Sequence, residues 1–168
     1  MKLRPIEPED LALLYTIEND PQLWDTTAAS GPYSRFALKQ YIATAETAPH
    51  GSEARFVIEV NNEADGKCRA IGLADLTDYS PLHARAEVGL ALLSEERNQG
   101  YGPQALQLLE QYAVERLRVH LLYAQVAGTN TMARQTFLRM GYQQQAVLPQ
   151  WHFAAGEYHD LHVFAKFF

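Results

Sequence analysis

Between residues 84 and 118 the sequence changes its period, from alternation at every second residue to apolar positions every three or four, across a turn that carries two glycines. In Ala84 to Leu93, Glu87, Gly89 and Ala91 fall on one face of a strand, and Val88, Leu90 and Leu92 on the other. In Pro103 to Arg118, Ala105, Leu106, Leu109, Tyr112, Ala113, Leu117 and the stem of Arg116 mark one face of a helix. Its first residue is proline, which suits a position where an N–H has no partner to lose. His120 to Val126 returns to a strand. A strand, a helix and a strand in this order predict a right-handed crossover and a parallel strand pair.

The remaining segments extend this unit. Lys2 to Ile6 reads as a strand; a helix then opens at Pro8-Glu9-Asp10, shows its period at Leu11, Leu14, Tyr15 and Glu18, and stops at Asn19-Asp20-Pro21. Ser34 to about Ala48 reads as a second helix, with Phe36, Leu38, Tyr41, Ile42 and Ala45 inward, broken by Pro49-His50-Gly51. Arg55 to Val60, Arg69 to Thr77 and Ala84 to Leu93 form an antiparallel meander through turns at Asn61 to Gly66 and Asp78 to His83. Thr131 to Met140 is a short helix with Asn130 as its N-cap and Gly141 at its end. Gln144 to Phe153 and Tyr158 to Phe167 make a hairpin around Ala154-Ala155-Gly156-Glu157, with Leu161, Val163, Ala165 and Phe167 on one face. The order is β-α-α-β-β-β-α-β-α-β-β, about seven strands and four helices, with no linker or repeat: one α/β (α+β) domain over residues 1–168.

The balance of 14 Lys and Arg against 20 Asp and Glu, a formal charge of -6 without a basic run, argues against a nucleic-acid partner and suits approach by a cation. The one cysteine, Cys68, cannot close an internal disulfide. The opening Met-Lys-Leu-Arg-Pro-Ile has neither a signal-peptide core nor a membrane span, so the expected location is cytoplasmic, with no membrane partner.

Gly100 and Gly102 precede a helix whose first N–H groups are unpaired and whose dipole favours an anion such as a pyrophosphate. Arg97 brings a fork of donors suited to phosphate. Taken alone, the glycines need only shape the turn. Gly100-x-Gly102-x-x-Ala105 formally fits the dinucleotide fingerprint, yet Ser94 to Gln99 separate it from its strand, and Val126-Ala127-Gly128 offers no ribose-reading acid. A Walker loop is excluded because no Gly-Lys-Ser/Thr occurs.

Arg97-x-x-Gly100-x-Gly102 resembles the Arg/Gln-x-x-Gly-x-Gly/Ala acetyl-CoA signature of the GNAT superfamily of N-acetyltransferases. The resemblance extends to Asn130-x-x-Ala133, Leu138-x-Met140-Gly141-Tyr142, Leu3-Arg4-Pro5, Glu18-Asn19-Asp20-Pro21 and Gly156-Glu157-Tyr158-His159-Asp160, nearly the whole chain. It is strongest toward the branch of spermidine and ribosomal-protein N-terminal acetyltransferases. It implies a central parallel strand pair splayed near Leu92 and Tyr123, with the pantetheine arm between, and the pyrophosphate on the N–H groups of Gln99 to Gly102. The cofactor contacts it implies are Leu92, Arg97, Asn98, Gln99, Gly100, Tyr101, Gly102, Pro103, Asn130 and Phe137. It implies acetyl-CoA as cosubstrate, no metal, an amine or peptide N-terminus as acceptor, and a homodimer.

Acetyl transfer needs a neutral amine, yet an alkylamine of pKa about 10 is protonated at neutral pH, so a carboxylate base is expected. Glu87 is the candidate, an acid beside small residues on the strand that would hold the thioester; the spermidine enzymes carry a Glu at what looks like this position. The alternative for Glu87 is a structural ion pair with Arg85 or another cation, and Asp75 and Asp78 are reserve acids. Where many superfamily members carry a tyrosine to protonate the thiolate, this chain has Phe137, which leaves Tyr142, Tyr123 or water. His159-Asp160-x-His162 fits a strand better than a metal site, and Trp24, Tyr33 and Trp151 are candidates for an amine pocket. Two other functions compete: an acyl-CoA-binding domain without catalysis, and a nicotinamide-dinucleotide domain.

Overall fold

Residues 1–26, 31–45, 53–61 and 66–168 are described by a computed structural model. Strands β1 (Lys2–Pro5), β2 (Ala54–Asn61), β3 (Cys68–Ser80), β4 (Arg85–Leu92), β5 (Leu121–Ala127), β6 (Gln143–Ala154) and β7 (Glu157–Phe167) form one sheet in the order β1-β2-β3-β4-β5-β7-β6. All neighbours are antiparallel except β4 and β5, which are joined through the helix α4 (Tyr101–Leu117) and run parallel, as the strand-helix-strand pattern requires.

Alternation decides which side chains each face buries. On one face Ile58, Ile71, Ala74, Leu76, Ala86, Val88, Leu122, Ala124 and Phe164 pack against Leu106 and Leu109 of α4 and Phe137 of α5 (Thr131–Arg139). On the other, Val57 and Leu73 are covered by Leu14 and Ile17 of α1 (Leu11–Glu18) and Leu38 and Ile42 of α3 (Arg35–Ala45). Each buried leucine contributes about 2 kcal/mol of transfer free energy, which is why these two clusters set where the helices lie. Arg4 fixes the edge by donating to both oxygens of Asp10, at 2.6 and 2.8 Å, and to Glu59 at 2.8 Å.

Three boundaries differ from expectation. Among the described residues a short extra helix, α2 (Pro21–Trp24), makes five α-helices: the residues that stop α1 also start α2, because Asp20 caps it by accepting the Gln22 N–H at 2.9 Å and Pro21 takes its first turn. Helix α4 begins at Tyr101 rather than Pro103, since Gly100 at φ 80° already serves as its N-cap and proline is tolerated anywhere in a first turn. Strand β3 continues past Thr77 to Ser80 through an irregularity in register with Asp78 at φ 47°. The breaker at residues 49–51, the end of the second helix at 46–48 and most of the turn at 61–66 lie outside the described residues.

Candidate active site

Strands β4 and β5 pair only at Arg85 with Leu121, Ala86 with Leu122 and Glu87 with Tyr123. Beyond that point β4 continues to Leu92 paired with β3, and β5 to Ala127 paired with β7, so the two central strands part. A parted pair presents backbone N–H and C=O groups to whatever lies between, and these groups need partners. The expectation of a splay near Leu92 and Tyr123 thus has its geometry.

The splay leads into the glycine turn. A short 3-10 turn at Ser94–Glu96 follows β4, and buried Glu96 anchors it to Arg69 of β3. Gln99 donates to the Glu95 carbonyl at 2.7 Å, and Asn98 takes a left-handed φ of 64° before Gly100 at 80°. Glycine adopts such a φ without cost, and asparagine tolerates it better than most other residues. A Cβ added at Gly100 or Gly102 would meet no heavy atom within 4 Å, so both face open space at the positive end of a helix of 17 residues. Pro103 is exposed, and Tyr101 packs by one side against the core.

Arg97 is already engaged. Its Nε donates to the Leu92 carbonyl at 3.0 Å, Nη2 to Asp20 at 2.9 Å and Nη1 to Gln22 at 3.3 Å. Between these walls lies a cavity of about 260 Å³ lined by Thr16, Ile17, Asp20, Gln22, Leu92, Leu93 and Ser94. No sequence signal foretold the pair of Arg97 and Asp20, because 77 positions separate them.

Three carboxylates share the face of β3 and β4 that turns away from α4. Asp75 is held by Arg55 through Nε at 2.7 Å and Nη2 at 3.1 Å, and Arg55 also binds Glu18 at 2.6 Å. Asp78 accepts from Tyr123 at 2.6 Å and from Arg85, which together hold it below the usual carboxylate range. Arg85 therefore pairs with Asp78 rather than with Glu87. Among the described residues Glu87 has no ion pair; burial pushes its pKa up, against the pull of Gln125. A partly buried carboxylate without a cation, its pKa raised by burial, at the point where the strands part, is the form of acid suited to act as a base.

The other candidates fall elsewhere. Phe137 is 7% exposed in the core beneath the sheet, edge-on to Tyr142 at 5.0 Å and stacked on Phe164 at 6.2 Å. Tyr142 is buried beside Glu110 and Lys166, and burial raises its pKa. Asn130 caps α5 by accepting the Ala133 N–H at 3.0 Å. Trp24 packs on Gly31 and donates to the Glu18 carbonyl at 2.8 Å. Tyr33 is fastened to Asn19, and Trp151 is exposed on β6; among the described residues no ring contact joins these three. His159 meets the Ala154 carbonyl, His162 the Gln144 side chain, and Asp160 the Gln150 N–H, so each is used within the β6–β7 hairpin.

Comparison with known proteins points the same way. The chain is 26% identical over 160 residues to spermidine N(1)-acetyltransferase of Escherichia coli (strain K12), covering 95% of this chain and 82% of that protein. It is 24% identical over 161 residues to the Vibrio cholerae enzyme of the same name, covering 96% and 89%. The crystal structure of spermidine N-acetyltransferase from Vibrio cholerae in complex with CoA and spermine superposes with a TM-score of 0.87 at 22% identity, over 99% of this chain and 94% of that one. The family model described as acetyltransferase (GNAT) domain matches residues 1–143. With its parted central strands and the open glycine turn at the start of α4, the chain belongs to the GNAT acetyltransferase family.

Proposed function

We propose that this acetyltransferase moves the acetyl group of acetyl-CoA onto a primary amine of a polyamine, with Glu87 as the base. The single observation that carries this reading is the position of Glu87, partly buried and, among the described residues, without an ion pair, at the last residue where β4 and β5 meet. The relatives named for spermidine support the polyamine class.

The residues present suit the cofactor: the open N–H groups of Gly100, Tyr101 and Gly102, flanked by Asn98, Gln99 and Pro103, form an anion seat, and the parted strands at Leu92 offer backbone partners for an amide-bearing arm. The resemblance also gives Asn130 and Phe137 to the cofactor, whereas here the Asn130 side chain caps α5 and Phe137 lies in the core. Bound acetyl-CoA supplies the thioester carbon that the amine attacks. Glu87 takes the ammonium proton, directly or through water, and so exposes the nitrogen lone pair. Backbone N–H groups of β4 polarise the carbonyl, and the walls of the cleft bring amine and thioester together. Phe137 offers no proton, and a CoA thiolate leaves without one.

The exposed Trp151, Phe153 and Tyr158 on the β6–β7 hairpin support a homodimer as the working assembly. The second reading, CoA binding without catalysis, draws on Phe137 alone. Thiol release measured over a panel of polyamines and peptide N-termini separates the two: turnover highest on polyamines and lowered about a hundredfold or more in Glu87→Gln is expected, whereas CoA binding without turnover on any amine selects the second.

A further inference from the structure

Arg97 belongs to the turn that leads into the cofactor seat, yet its donors point back into the protein. Nε is on the Leu92 carbonyl, Nη1 on Gln22 and Nη2 on Asp20, and the Arg97 and Asp20 side chains are 24% and 22% exposed. Asp20 divides its two oxygens: Oδ1 caps α2 through the Gln22 N–H at 2.9 Å, and Oδ2 takes Arg97. A guanidinium so placed has a carboxylate as its counter-ion, and moving it to a phosphate would leave Asp20 partly buried and unpaired, a substantial cost. Asp20 lines the cavity of about 260 Å³ with Thr16, Ile17 and Gln22 on one wall and Leu92, Leu93 and Ser94 on the other, and Arg97 holds the two walls together through Asp20 and the Leu92 carbonyl.

We propose that Arg97 is a positioning residue for the acceptor, not a ligand of the cofactor phosphate: with Asp20 it fastens the corner between α1 and α2 to the end of β4 and sets the width of the channel that the amine chain enters. This rests on the functional reading above. The pair acts through the wall that it holds, so its loss impairs acceptor binding and leaves the backbone anion seat at Gly100 to Gly102 intact. The two side chains act as one unit, so removing both harms acceptor binding no more than removing either.

The test compares wild type, Arg97→Ala, Arg97→Lys, Asp20→Asn and the double variant Arg97→Ala/Asp20→Asn, with CoA and spermidine as probes. Calorimetry gives the Kd of CoA and that of spermidine, and steady-state assays give spermidine KM and kcat. Asp20→Asn keeps an oxygen for the α2 cap and replaces the charged acceptor that faces Arg97 with an amide N–H, so it reports even if Arg97→Ala does not fold. The expected result is a CoA Kd within about threefold of wild type in every variant, spermidine KM and Kd weakened about tenfold in Arg97→Ala and Asp20→Asn with kcat within about twofold, no further loss in the double variant, and partial rescue by Arg97→Lys. A CoA Kd weakened about tenfold in Arg97→Ala but not in Asp20→Asn makes Arg97 a phosphate ligand and overturns the proposal. Unchanged spermidine binding in both single variants overturns it as well. If wild type binds CoA but not spermidine, the polyamine reading fails separately, and the CoA affinity of Arg97→Ala alone decides whether the phosphate assignment returns.

Discussion

Tyr123 donates its hydroxyl to Asp78 at 2.6 Å, across the point where β4 and β5 stop pairing and one register position from the end of the β3 irregularity. The contact ties β5 to the exit of β3, and Arg85 adds a second donor to the same carboxylate oxygen. Burial, followed by the bond to Asp78, pushes the phenol pKa up, so the proton stays on Tyr123 throughout neutral pH.

A brace of this kind is expected to matter for the fold more than for the chemistry. Tyr123→Phe should lower stability only slightly, because water competes for the exposed Asp78 carboxylate, with kcat within about threefold of wild type. Denaturant unfolding and steady-state kinetics check both effects. A fall in kcat of a hundredfold at unchanged stability would make Tyr123 the proton donor that Phe137 is not.

Glu87 has the opposite character, raised by burial and without a cation. As a base it works only when ionised, so kcat/KM should rise with pH through the raised Glu87 pKa, placing the acid limb above the ordinary glutamate value of 4.5. Glu87→Gln should erase that limb and lower kcat by about a hundredfold or more. A pH profile of the variant that keeps the wild-type acid limb assigns it to another group.

The parallel pair, the meander and the tail hairpin were legible because alternation and helical period are local properties of the chain. So was the glycine turn, whose unusual φ at Gly100 is the reason for its glycine. What the sequence did not disclose was pairing at a distance. Arg55 joins Glu18 to Asp75, and Arg97 joins Asp20 to Leu92, through registers that no local pattern specifies. From the sequence Arg85 was a partner for Glu87, and nothing local named Asp78 instead. The irregularity after Thr77 brings Asp78 to Arg85, and among the described residues Glu87 has no ion pair.

Gly100 provides a test of the turn itself. At φ 80° an alanine incurs the left-handed penalty of about 1 to 2 kcal/mol although its Cβ would meet nothing. Gly100→Ala should therefore destabilise by about that amount through strain alone, and weaken CoA by pulling the first N–H groups of α4 out of line. Thermal unfolding and CoA calorimetry report the two effects separately, and a variant with wild-type CoA affinity would remove the turn from the anion seat.

Acid stability should depend on the first strand. Lys2 and Arg4 hold Glu59 at a pKa of about 2, against an ordinary 4.5. Asp10 is also lowered: burial raises it, but Arg4 and the Glu7 N–H outweigh that. A carboxylate whose folded pKa lies below its unfolded value contributes stability in full above the unfolded value and loses it as pH falls toward the folded one. For Glu59 that window runs from about 4.5 down to about 2. Unfolding free energy should accordingly decline between pH 5 and pH 3, and Glu59→Gln should be less stable than wild type at pH 7 and flatter below pH 5. Urea titrations at pH 7, 5 and 3 give the slope directly. If wild type and Glu59→Gln decline in parallel over that range, the pairing of β1 with β2 is held by its backbone ladder and by Leu3 and Ile58, not by the charges of Lys2 and Arg4.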